Sequence, residues 1–119
     1  MSGSLPNDGI ELLYTSDCKA WAETKANLER AIKKLGLNED IKLIVIDTLE
    51  QAYAHNFFAS PTIHVQGIDV DPRGRRISRR GLGSGRPYFW QNKSYTAPPV
   101  DLILAGLKEF YNQAAQGNQ

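Results

Sequence analysis

Cys18 is the residue in this 119-residue chain whose type and setting best suit covalent chemistry. It follows an apolar run, Ile10 to Tyr14, and a short polar stretch, Thr15-Ser16-Asp17, and it precedes a long helical pattern. A thiol acts as a nucleophile in its thiolate form, and a helix N-terminus favours that form through the macrodipole and the free N–H groups. At such a position the thiol is expected to titrate below the ~8.5 of a free cysteine. Lys19 would add to the effect, and an inward-facing Asp17 carboxylate would oppose it. The competing reading is a small, inert residue at a helix start.

The second chemical feature is a run of arginines. Arg73, Arg75, Arg76, Arg79, Arg80 and Arg86 fall within fourteen residues that contain no acid. Guanidinium groups so clustered can hold phosphate or carboxylate through paired N–H donors. The plainer reading is a solvated loop whose charges pair with Asp69, Asp71 or acidic surfaces elsewhere. Nucleic acid is not expected as a partner: no aromatic residue interleaves the run, and the whole chain carries a net charge of only +1. His55 and His64 each lack a catalytic partner nearby in sequence and read as ordinary helix and sheet residues. Gly81-Leu82-Gly83-Ser84-Gly85 lacks the strand-to-helix context and the Lys-Ser/Thr of a phosphate loop. One cysteine cannot build a zinc cage, so no metal is expected.

These groups need a scaffold, and the apolar pattern supplies one. Ile10 to Tyr14 reads as a strand buried on both faces. A helix follows, capped by Ser16 or Asp17, with Trp21, Leu28, Ala31, Ile32 and Leu35 on one stripe and Gly36 at its end. Ile41 to Ile46 reads as a second buried strand. Thr48 caps a short helix from Leu49 to about Asn56. Thr62 to Val65 form a third strand, Gly67-Ile68-Asp69 a turn, residues 71–85 a long loop or ragged hairpin, and Tyr88-Phe89-Trp90 a fourth strand. Gln91 to Ser94 is a turn. Pro98-Pro99 leads into a last helix from Val100 to about Ala115. Leu12, Leu13, Leu28, Ile32, Leu43, Val45, Ile63, Leu104 and Leu107 are expected to form one core. A carboxylate at Leu28 or Val45 is therefore expected to unfold the domain.

The length suits one domain, residues 10–115, with a flexible arm at 1–9 and a frayed end at 116–119. No apolar run approaches the ~18 residues of a membrane span, so no membrane partner is expected. The N-terminus lacks the basic and apolar regions of a signal peptide, and a single cysteine suits a reducing compartment; the expected location is cytoplasmic.

The strand leading to Cys18, with Ser60-Pro61-Thr62-Ile63 opening a later strand, resembles the thioredoxin superfamily. More closely, the chain is similar to a family of small bacterial thioredoxin-fold proteins. The matching positions are Cys18 and Trp21, Ser60 to Ile63, Gly67-Ile68-Asp69, Gly81-Leu82, Arg86, and Ala97-Pro98-Pro99-Val100. The resemblance implies an α/β, thioredoxin-like fold of order βαβαββα, with a mixed central sheet of about four strands flanked by helices. It implies a cis peptide bond before Pro61, beside Cys18, and a substrate groove shaped by Ser60, Pro61 and Thr62. Trp21 would pack over the helix start or serve as a substrate platform. Arg86 or the arginine loop would bind an anionic partner such as glutathione. Two departures matter. Trp21 stands where a dithiol enzyme of that superfamily carries its second thiol, and Gly85 stands where the smaller family has a later cysteine. The implied function is monothiol exchange or redox sensing through a mixed disulfide at Cys18, with a small thiol or a thiol-containing protein as partner. The alternative is a non-catalytic binding module that uses the Cys18/Trp21/Pro61 groove or the arginine loop.

Overall fold

The computed structural model describes residues 9–117, with side chains described to Tyr111. Residues 1–8 of the expected arm and the last two residues lie outside the described part. Strand β1 (Ile10–Tyr14) leads to helix α1 (Trp21–Lys34), strand β2 (Ile41–Val45), helix α2 (Leu49–Ala54), strand β3 (Thr62–Val65) and strand β4 (Ile68–Asp69). A single 3-10 turn (Gly74–Arg76) interrupts the arginine loop. Strands β5 (Tyr88–Trp90) and β6 (Lys93–Tyr95) form a separate ribbon, and helix α3 (Val100–Gly117) closes the chain.

The four-stranded sheet has the order β2-β1-β3-β4. β1 and β2 are parallel, β3 runs antiparallel to β1, and β4 runs antiparallel to β3. The fold is thus a mixed α/β sheet with three helices. Its fourth strand is β4, a segment whose sequence reads as a turn. Tyr88–Trp90 instead pairs with Lys93–Tyr95 around Gln91-Asn92, whose φ values of 51° and 67° are those a tight hairpin turn needs.

Alternation along the strands gives the sheet two unlike faces. One face presents Ile10, Leu12, Ile63 and Val65 to Leu28, Ala31 and Ile32 of α1 and to Ile103 and Leu107 of α3. The other holds a smaller apolar cluster, Leu13 with Ile46, Ala52 and Phe57 beneath α2. The expected single core is therefore two clusters, one on each side of the sheet.

β2 corrects the expectation of a buried central strand. It lies at the sheet edge, with Leu43 44% and Val45 38% exposed. Four apolar residues among five, Ile41, Leu43, Ile44 and Val45, cannot reveal strand order, and strand order decides which strand has a neighbour on both sides. α2 keeps its expected start: Thr48 Oγ1 accepts from the Gln51 N–H at 3.2 Å, and Gln51 Oε1 accepts from the Thr48 N–H at 3.0 Å.

Candidate functional site

The connection after β1 holds Cys18, but not at a helix cap. The Cys18 N–H donates to the Thr15 carbonyl at 3.0 Å, closing a turn. The Thr15 hydroxyl donates to Asp17 Oδ1 at 2.7 Å, which commits the Asp17 carboxylate to that turn. α1 starts later, at Trp21, with Ala20 as its cap and no side-chain capping bond. The expected Ser16 or Asp17 cap is therefore absent, and Cys18 stands two residues ahead of the cap.

Cys18 is only 7% exposed and lines a cleft of about 440 Å³. Asp17, Lys19 and Ala20 form one side of that cleft; Ser84, Gly85 and Thr96 form the other. Gly85 thus shares the cleft with Cys18. Its φ is +73°, and a Cβ built there meets nothing within 4 Å.

The structure sorts the other candidate residues differently. The Ser60–Pro61 bond is cis, and Ser60 lies beside the Cys18 turn, because Ser60 Oγ accepts from the Thr15 N–H at 3.1 Å. Ser60, Pro61 and Thr62 are nevertheless buried and do not line the cleft. The Ser60 N–H donates to the Gly83 carbonyl at 2.8 Å, and its carbonyl accepts from the Arg86 N–H at 2.9 Å. A strap of the chain's own backbone therefore occupies both the Ser60 N–H and the Ser60 carbonyl. Trp21 stacks on Tyr14, with ring centroids 4.9 Å apart and planes 10° apart, and is not part of the cleft.

Arg86 is an interior residue, 5% exposed. Its guanidinium makes a paired contact with Asp69 at 2.9 and 3.2 Å and donates to Thr62 Oγ1 at 2.9 Å. The rings of Phe58 and Tyr88 lie 4.7 and 4.5 Å from it, and the Tyr88 hydroxyl donates to the Pro61 carbonyl. Burial pushes the Tyr88 phenol well above its usual range. Gly74 is required at this cluster: a Cβ there would lie 2.1 Å from Asp69 Oδ2 and 2.5 Å from Arg86 Nη2. Arg86 braces the loop against the sheet and has no open face toward Cys18.

The arginine loop is likewise tied down. Arg73 lies over Phe89 at 5.3 Å, Arg75 over Phe110 at 5.2 Å and Arg79 over Phe58 at 5.6 Å. Arg75 also forms a bidentate pair with Glu109 at 2.8 and 3.0 Å. Aromatic partners absent from the loop in sequence are supplied by other parts of the fold.

Sequence reasoning passed over a polar row on the α2 side of the sheet. Lys42, Glu11, His64 and Asp69 are direct cross-strand neighbours from β2 through β4. Glu11, His64 and Asp69 are buried. Burial pushes the Glu11 carboxyl up, against the pull of His55 and Lys42. Burial also pushes His64 down to about 4; Asp69 opposes this, while Arg86, His55 and Arg80 reinforce it. The available signal was a charged residue inside an apolar strand, Glu11, and a histidine in phase with Thr62. Among the described residues no cluster of His, Cys, Asp and Glu could hold a metal ion, and no helix is long and apolar enough to cross a membrane.

Comparison with protein-family models, with curated proteins and with solved structures finds no match.

Proposed function

We propose that this is a thioredoxin-like protein that forms a mixed disulfide at Cys18 with a small anionic thiol of the glutathione type. The observation that carries the reading is the cleft in which Cys18 faces Gly85 and Ser84 with Lys19 at its rim. Support for the fold comes from the order β2-β1-β3-β4 with β3 antiparallel to β1, and from the contact of Ser60 with the Cys18 turn. A small thiol is preferred to a protein thiol because Cys18 is only 7% exposed within its cleft. In the proposed step the Cys18 thiolate attacks one sulfur of a small-molecule disulfide. A new S–S bond forms, the old one breaks, and the departing thiolate takes a proton from solvent. Cys18 is the sole cysteine, so no second protein thiol resolves the adduct within the chain.

The test is mass spectrometry after treatment with oxidised glutathione across a pH series. A single adduct that forms faster than on an unstructured cysteine peptide, and is absent from Cys18→Ser, is expected. An adduct rate at or below that of the peptide supports the second reading, a thioredoxin-fold binding module without turnover. The specific observation favouring that reading is the 7% exposure of Cys18.

A further inference from the structure

The polar row on the sheet opens into a cavity of 260 Å³, away from the Cys18 cleft. His64 forms part of its wall, with Asn56, Arg75 and Arg80 among the other lining groups. His64 is 4% exposed. The cations around it are incompletely used. Arg80 Nη1 donates to the Ile77 and Arg79 carbonyls, both at 2.9 Å, and Nη2 reaches Asn56 Oδ1 at 3.4 Å. Its Nε–H and one Nη2–H remain to donate. Asn56 spends its carbonyl oxygen on Arg80 and keeps its NH2 group. Arg75 adds a second guanidinium, held by Glu109 and by the Asp69 carbonyl. The acid on β4, Asp69, also lines the cavity, and its carboxylate is paired with Arg86.

We propose that this cavity is a binding site for a small tetrahedral oxyanion of the phosphate or sulfate type, held by His64, Asn56 and Arg80 with Arg75 behind. Donors from separate elements suit a tetrahedral group better than a flat carboxylate, and guanidinium groups bind oxyanions through directed N–H bonds. The charges facing His64 come from every neighbouring element: Glu11 on β1, Asp69 on β4, His55 after α2, and Arg80 and Arg86 from the loop. In the empty cavity burial and these cations keep His64 neutral near pH 7. A bound dianion favours the imidazolium, so binding takes up a proton and strengthens as pH falls.

The experiment titrates the full chain with sodium sulfate, at fixed ionic strength in chloride, while His64 ring and Arg80 Nε–H signals are followed by NMR. Sulfate keeps its charge between pH 5 and 7, so the protein alone supplies the pH dependence. Saturable shifts at both groups are expected, with affinity about tenfold higher at pH 5 than at pH 7 if the bound ion lifts His64 to about 6. Inorganic phosphate at pH 7 should shift the same signals, and acetate should bind more weakly. Arg80→Gln and Asn56→Ala should each weaken sulfate binding about tenfold or more while melting cooperatively; whichever folds serves as the control. No saturable shift, an affinity independent of pH, or unchanged affinity in the folded variant would overturn the site. Tighter binding of acetate than of sulfate would overturn the tetrahedral assignment.

Discussion

The two faces of the sheet solve the problem of burial in opposite ways. Under α1 and α3, Ile10, Leu12, Ile63 and Val65 form one apolar cluster with residues of both helices. Under α2 and the arginine loop, Thr62, His64 and Asp69 are equally buried but polar, and Arg86 ties Thr62 to Asp69. Dispersion and the hydrophobic effect are graded and non-directional, so the first face should lose stability in proportion to the atoms removed. A buried charge pair is not graded. Removing one partner strands the other in a medium that cannot solvate it. The first face should therefore be tolerant in detail, and the second all-or-none.

The sharpest way to break this contrast is at Asp69. Asp69→Ala should destabilise the domain by about 3–5 kcal/mol, because it leaves the Arg86 guanidinium buried without its carboxylate. Replacing both partners by apolar residues, Asp69→Leu with Arg86→Met, should recover much of that loss. Urea denaturation of the natural chain and these two variants decides the matter; a double variant as unstable as Asp69→Ala would mean that Thr62 and Pro61 also depend on the pair. On the apolar face, Leu12→Ala should lose about 2–5 kcal/mol, and Leu12→Met less than about 1.5, a graded series that differential scanning calorimetry can read.

A third effect separates the faces by pH. The folded pKa of His64, about 4, lies below the ordinary value near 6.5, so the unfolded chain binds more protons between these values. The contribution is intact above pH 6.5 and is lost as pH falls toward 4, by up to about 1.4 kcal/mol per pH unit. His64→Gln should flatten that part of a stability–pH profile. Glu11 works with the opposite sign: its raised pKa gives a contribution present at low pH and lost as pH rises. A His64→Gln profile as steep as that of the natural chain would count against the buried neutral imidazole.

The smallest effect is expected at the sheet edge. Val45→Asp should leave a cooperatively folded protein with a loss of about 1 kcal/mol, since the side chain already meets solvent. Circular dichroism melting checks this directly, and an unfolded variant would restore the buried-strand reading.

Much of the frame was legible because local signals suffice for α2, β3, α3 and the body of α1, though not for the start of α1. Apolar spacing, Thr48 at a cap and Pro99 before a helix are all decided within a few residues. β4 was not legible: at two residues, Ile68–Asp69, it is too short to show alternation, and only pairing with His64 and Val65 makes it a strand. The role of Arg86 was hidden for a related reason. Its partner Asp69 is 17 residues away, and the aromatic groups that sandwich it come from two different segments. Cys18 could be singled out by residue type, but the turn that separates it from the helix depends on hydrogen bonds of Thr15 that spacing does not reveal.

β2 leaves one side of its backbone without a partner strand among the described residues, and such an edge can template pairing between copies. The sequence around it limits that outcome through arithmetic. Antiparallel pairing of two copies about the midpoint of Leu43 and Ile44 sets Asp40 of one opposite Asp47 of the other. Shifting the centre to Leu43 sets Glu39 opposite Asp47. Both of these registers bring like charges together at each end, and directly opposed like charges are destabilising in antiparallel pairs. A centre between Ile44 and Val45 instead sets Lys42 of one copy opposite Asp47 of the other, an attractive pairing. Repulsion and attraction both act through solvent, so both fade as the Debye length shrinks from ~10 Å at 0.1 M salt to ~3 Å at 1 M. Ionic strength thus shifts the balance among the registers open to this edge.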